Sequence, residues 1–260
     1  MFSSAAFCRQ DTVACKMTSA TYRFPRKEVS IVKSAYEQPN LSFLVLHDDE
    51  NTGTEAAHSF CSIHGGNIVE LQYGNERNIT FGSRGSLFSF DPNQIFSNAG
   101  ALGTLKKYSP SRPGQLTVEK LRGLAFAVLK RYNADSLGYI ITLHNNTEGR
   151  YNILSYCYDP QFKAVADSVY VNPEMDEDDF TFVTDISFYN YLKKNMVSVV
   201  MQSKAARDGS LSVYAQANGI PYINIEVQDG HPEEHLRLIE VVARMMDELK
   251  GHDELYARKL

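Results

Sequence analysis

Two histidines and two glutamates stand where their chemistry could be metal chemistry. His47 and Glu50 lie three apart in His47-Asp-Asp-Glu50, directly after the apolar run Leu41-Ser-Phe-Leu-Val-Leu46. His144 follows a second such run, Gly138-Tyr-Ile-Ile-Thr-Leu143, and Glu226 ends a third, in Pro221-Tyr-Ile-Asn-Ile-Glu-Val227. Two His and one Glu are a hydrolytic zinc set that leaves a fourth position for water. A spacing of three on a turn leaving a strand lets His47 and Glu50 converge on one ion, and His144 can close the triangle from a neighbouring strand. Spacing alone is weak, because a chain with 7 His and 31 acids produces such pairs by chance, and His231-Pro-Glu-Glu234 is a rival. The bland alternative, in which His47 caps a helix and His144 is a satisfied core histidine, stays open at this point. Position favours the metal, since ligands in open α/β sheets sit beyond the carboxyl ends of strands.

The elements that must place these residues follow from periodicity. Residues 41–46 read as a strand buried on both faces, with a helix over 54–64 that Gly65-Gly66 stops. Strands are expected at 67–73, 78–81, 138–143, 151–156, 196–201 and 221–227. Helices are expected from Thr117, as N-cap, to Tyr132, then over 187–194 and 233–250. Residues 1–35 show no sustained periodicity and read as an N-terminal extension, with one domain over 36–260. Strands alternating with helices predict an α/β fold built on a mixed, largely parallel twisted sheet with helices on both faces.

Composition narrows the partners. The chain has 260 residues, 43% of them hydrophobic, enough for one continuous core. Its 26 basic and 31 acidic residues leave a net charge of −5, which provides no broad positive field for nucleic acid or anionic lipid. The four cysteines form no Cys-x-x-Cys pair, so neither a disulfide scaffold nor a Cys-type zinc site is indicated. No stretch approaches the length of a membrane span, and no secretory signal is visible, so a cytoplasmic location is the expectation.

The order of motifs resembles the zinc carboxypeptidase superfamily, and within it the succinylglutamate desuccinylase and aspartoacylase branch. The motifs are His47-x-x-Glu50, Asp91-Pro-Asn-Gln-Ile-Phe96, Thr142-Leu-His-Asn-Asn146, and Asp208-Gly-Ser running on to Glu226. That resemblance implies a carboxypeptidase-like fold, one zinc ion per chain held by His47, Glu50 and His144, and Glu226 as general base and acid. It implies a substrate role for Asn93, an oxyanion or substrate role for Arg84, and a substrate contact for Lys204, which lies where carboxypeptidases place a mobile tyrosine. Gln94 stands where the family has Arg, and a neutral amide cannot pair with a carboxylate as a guanidinium does. The implied activity is hydrolysis of an amide bond in an N-acyl amino acid or short peptide. The alternatives are an amidase or peptidase acting on cell-wall peptides, and a non-catalytic binding protein that keeps the fold.

Other clusters read as structural. His58, Cys61 and His64 fan across a helix face, and no Gly-x-Ser-x-Gly elbow supports a serine hydrolase. The acidic run Glu174 to Asp179 lacks the glycine and ligand spacing of a calcium loop and reads as a solvated segment.

Overall fold

A computed structural model describes residues 13–257, apart from 39 and 84. The chain opens with a hairpin, β1 (Cys15–Phe24) and β2 (Lys27–Tyr36), then runs through β3 (Ser42–Val45), α1 (Asn51–His64) and β4 (Gly66–Gln72). A second hairpin, β5 (Ile79–Ser83) and β6 (Ser86–Phe90), leads by a 3-10 turn at Pro92–Gln94 into α2 (Asn98–Tyr108) and α3 (Gln115–Tyr132). The single turn α4 (Ala134–Leu137) precedes β7 (Ile140–Asn146). Two more, α5 (Ser155–Tyr158) and α6 (Pro160–Lys163), precede β8 (Ala166–Tyr170) and β9 (Phe180–Val183). The remainder is α7 (Ile186–Lys194), β10 (Val199–Gln202), α8 (Leu211–Ala217), β11 (Tyr222–Gln228) and α9 (Pro232–Ala257).

Nine strands form one sheet in the order β1-β2-β4-β3-β7-β11-β9-β10-β8. Its centre, β4-β3-β7-β11, is parallel, and antiparallel pairings flank that centre on both sides. The expected mixed sheet with helices on both faces is therefore present. One face carries α2, α3 and α8 through Leu105, Leu121, Leu124, Val128 and Leu211. The other carries α1, α7 and α9 through Phe60, Leu192, Leu238 and Met245. Each such side chain contributes roughly 1.5–3 kcal/mol when fully buried.

Alternation along the two central strands sorts their residues. In β7, Ile141 and Leu143 pack on the α1/α9 side, and in β11 Ile223, Ile225 and Val227 do the same. Their neighbours Thr142, His144, Asn224 and Glu226 therefore point to the opposite face, because successive strand residues alternate. Gly53 lets α1 lie close over β7: a Cβ there would stand 2.9 Å from both the Leu143 Cβ and the His235 ring. At the far end of α1, Gly65 takes φ +79° and donates its N–H to the Cys61 carbonyl.

Three expectations differ from the structure. Residues 15–36, read as part of an extension, are a hairpin on the edge of the sheet; β1 is exposed along nearly its whole length, so it carries no burial pattern to read. Gly114, not Thr117, caps α3, and Thr117 donates its N–H to the Gly114 carbonyl. Residues 151–156 are not a strand. Asn152 and Ser155 exchange side-chain and backbone hydrogen bonds, each side-chain oxygen accepting from the other's N–H, and so close a local turn that leads into α5. Among the described residues, no helix is long and apolar enough to cross a membrane.

Candidate metal centre

His47, Glu50 and His144 meet at the carboxyl ends of β3 and β7. His47 lies two residues beyond β3, and a turn in which the Glu50 N–H donates to the His47 carbonyl carries the chain into α1. Glu50 occupies the N-cap of that helix, yet its side chain caps no helix amide. The carboxylate turns instead to the two imidazoles. Nδ1 of His47 lies 3.0 Å from Oε1 and Nδ1 of His144 lies 2.7 Å from Oε2. The two Nδ1 atoms are 3.1 Å apart. All three residues are buried, at 1%, 4% and 3% exposure in chain order, so no solvent competes for these donors.

The donor set fits a single zinc-sized ion. Ligand atoms about 2.0–2.1 Å from a tetrahedral ion are separated by about 3.3 Å, close to the spacings found here. Nitrogen and carboxylate donors together suit a borderline metal such as zinc. The outer contacts point the same way. Nε2 of His47 lies 2.9 Å from Oδ1 of Asp91, a bond that keeps a proton on Nε2 and turns Nδ1 toward Glu50 and His144, the nitrogen that would give up its proton to a metal. Asp91 is held in turn by the N–H of Asn93, and its own N–H is bonded to the Thr104 hydroxyl.

Charge at the site is strongly coupled. Burial works to lower the pKa of His47, but Glu50 and Asp91 outweigh it and hold the imidazole up at about 10. Burial likewise opposes ionisation of Glu50, and His47 and His144 reverse this, keeping its carboxyl well below the ordinary range. Glu226 behaves oppositely. Its pKa is raised by burial, which outweighs the opposing pull of His144; Glu50 adds to the rise, and Asn224 and Arg77 oppose it. A carboxyl so placed is suited to take up and return a proton.

Glu226 is anchored by a polar chain across the two strands. The Tyr222 hydroxyl meets the Thr142 hydroxyl at 2.6 Å, Thr142 donates to Asn224 Oδ1 at 3.0 Å, and Asn224 Nδ2 donates to Glu226 Oε1 at 2.9 Å. Nearby, the hydroxyls of Tyr151 and Tyr156 bond to each other, and their rings pack on Phe162 and Phe180.

The other expected residues fall differently. Asn93 sits next to the site, but its Oδ1 accepts from the N–H of Leu211 and ties the 3-10 turn to α8. Gln94 is half-buried on the same turn and donates its backbone N–H to Asp91. Lys204 is exposed, and its carbonyl accepts from Arg207. Arg84 lies outside the described residues.

The guanidinium present at the site belongs to Arg77, which sequence reasoning missed. Its Nη1 lies 2.5 Å from Glu50 Oε1, and 54% of its side chain is exposed, so it reaches the carboxylate from the solvent side. Glu50 is the main reason its pKa is raised against burial, with Asp91 and Glu226 adding to the effect. The loop that carries it is clamped. Asp48 Oδ2 accepts from the N–H groups of Tyr73, Gly74 and Asn75, and the Tyr73 hydroxyl donates to the Arg77 carbonyl at 3.0 Å. The available signal was its place just past β4, a parallel strand whose carboxyl end faces the site.

No protein-family model and no curated protein matches the chain. Among solved structures it is similar to a candidate metallopeptidase from Shewanella baltica OS155, at 12% identity and TM-score 0.44, covering 89% of this chain and 84% of that one. It is similar to another from Shewanella denitrificans OS217, at 11% and 0.39, covering 91% and 84%. It is also similar to an aspartoacylase family protein from Mesorhizobium loti MAFF303099, at 11% and 0.39, covering 86% and 64%. These descriptions match the resemblance read from the motif order. With TM-scores below 0.5, the likeness carries no weight for the chemistry, which stands on the geometry of the site.

Proposed function

We propose that this chain is a metal-dependent hydrolase that cleaves an amide bond in an N-acyl amino acid or a short peptide, with one zinc ion held by His47, Glu50 and His144. The observation that carries this reading is the convergence of those three buried donors, all within 4.8 Å of one another, beside a carboxyl with a raised pKa. When bound, the ion supplies Lewis acidity toward the scissile carbonyl and acidifies water.

The protein's own groups account for the rest of the reaction. Glu226 takes a proton from the attacking water onto its carboxylate and passes it to the leaving nitrogen. Asn224 holds Oε1 of that carboxylate, leaving Oε2 to face the substrate. Arg77 supplies the donor for the carbonyl oxygen as negative charge develops there, the role expected of Arg84. Asp91 holds His47 in the tautomer that presents Nδ1. At the substrate end, Gln94 offers an uncharged amide, which favours an acyl or peptide group there over a free α-carboxylate.

Metal analysis of the purified protein, followed by incubation of the zinc-loaded chain with acyl amino acids and with cell-wall peptides, tests the reading. One equivalent of zinc and cleavage of either class support it. Failure to retain zinc under any loading condition overturns it.

A further inference from the structure

Two residues beyond His144, β7 ends at a second polar cluster that the hydrolase chemistry does not use. Asn146 is 6% exposed and Asp178 is 5% exposed. Asn146 Nδ2 donates to the Asp178 carbonyl at 2.5 Å, which commits the amide's donor side and leaves Oδ1 free. Asp178 Oδ2 accepts from the N–H of Gly149 at 3.3 Å. The remaining oxygens, Asn146 Oδ1 and Asp178 Oδ1, are shut from solvent, and neither has a partner among the described residues. Both are acceptors, so they cannot satisfy each other.

The surroundings are acidic. Glu148, Asp176 and Glu177 reinforce the effect of burial in raising the pKa of Asp178, with only the Gly149 N–H opposing. Asp179 follows at 2% exposure, and its Oδ1 accepts from the N–H of Gln228. Among the described residues none of these five acids takes part in an ion pair. A buried carboxylate among like charges is costly unless a positive charge compensates it.

We infer that Asn146 and Asp178 are ligands of a second cation site, taking a hard ion, calcium by preference, at the end of β7. Three observations lead there. The free atoms are all oxygens, which select calcium or magnesium rather than zinc. They are enclosed, so the occupant is of atomic size. A neutral water would satisfy the amide oxygen but leave the charge of Asp178 unanswered, whereas a cation answers both. Main-chain carbonyls and water complete the usual shell of about 6–8 oxygens. The acidic run read as a solvated segment thus has two buried members, Asp178 and Asp179, and the ion ties the loops at 147–150 and 176–179 to the strand that bears His144.

The test uses the full zinc-loaded chain, so that the primary site is already filled. Thermal unfolding and tryptic cleavage at exposed Arg150 are followed as calcium, magnesium or potassium chloride is added at constant ionic strength. Calcium in the millimolar range or below should raise the melting temperature by several degrees and slow that cleavage, with reversal by a calcium chelator. Asp178→Asn should abolish both responses, while the exposed control Asp167→Asn should keep them. No response to any of the three ions, or an equal response in Asp178→Asn, overturns the inference. A wild-type chain indifferent to all three ions but stabilised on acidification toward pH 5 also overturns it, placing a proton on Asp178 instead. None of these readouts depends on hydrolysis.

Discussion

Glu226 and His144 stand opposite each other on the adjacent parallel strands β11 and β7, in direct register. Side chains of registered residues share a face, so any reactive group near His144 is also near the Glu226 carboxyl. Glu226→Gln keeps the shape and the Asn224 contact but cannot carry a proton. Turnover should fall by about 10²–10⁴ while zinc content stays at the wild-type level. Parallel metal analysis and rate measurement check this, and unchanged turnover in a zinc-replete variant would remove Glu226 from its assigned role.

Among the metal-ligand candidates, Asp91 bonds to His47, through Nε2 at 2.9 Å. Asp91→Ala should therefore weaken zinc binding by about 10–100-fold while leaving the fold intact. Competition against a chromophoric chelator gives the affinity, and circular dichroism confirms folding. Unaltered affinity would show that His47 is oriented by other contacts.

Arg77→Met removes the only cation among the described residues that touches Glu50 from the solvent side. Zinc should remain bound, and kcat should drop by about 10²–10³, the usual scale for loss of a transition-state donor. The same substitution at Arg84 provides the comparison. A larger loss at Arg84 than at Arg77 would return the role to the residue that the motif order suggested.

His235 is fully buried, and neither ring nitrogen has a partner among the described residues. Burial pulls its pKa down to about 3, below the ordinary 6.5, and His144 adds to the effect while Glu50 opposes it. Between these values the unfolded chain binds the proton and the folded chain does not. The stability tied to this group is full above pH 6.5 and is lost as the pH falls toward 3, at up to ~1.4 kcal/mol per pH unit. His235→Leu should flatten that part of the profile relative to wild type. Denaturant titrations from pH 7 to 4 measure the difference, and parallel profiles would contradict it.

How far the site could be read in advance depended on where each residue sits relative to a buried run. His47, His144 and Glu226 follow or end apolar stretches whose strand character is plain, and the rule about strand ends directs attention to them. Asp91 was visible as part of a motif, but its bond to His47 was not, because it closes over 44 residues of chain. Arg77 sits in a polar loop of ordinary composition, and only the fold shows that Asp48 fastens that loop beside the metal centre. The edge hairpin was missed for a different reason: strand β1 is held by pairing with β2, and pairing leaves no mark on hydrophobic periodicity.

Oε1 of Glu50 is shared, with His47 on one side and Arg77 on the other. A ligand that draws the guanidinium toward itself returns negative charge to the carboxylate, and with it a stronger hold on any ion there. Thermodynamic reciprocity demands the converse, that filling the centre releases Arg77 for incoming anions. The three-way junction thus makes occupancy and capture two expressions of one equilibrium.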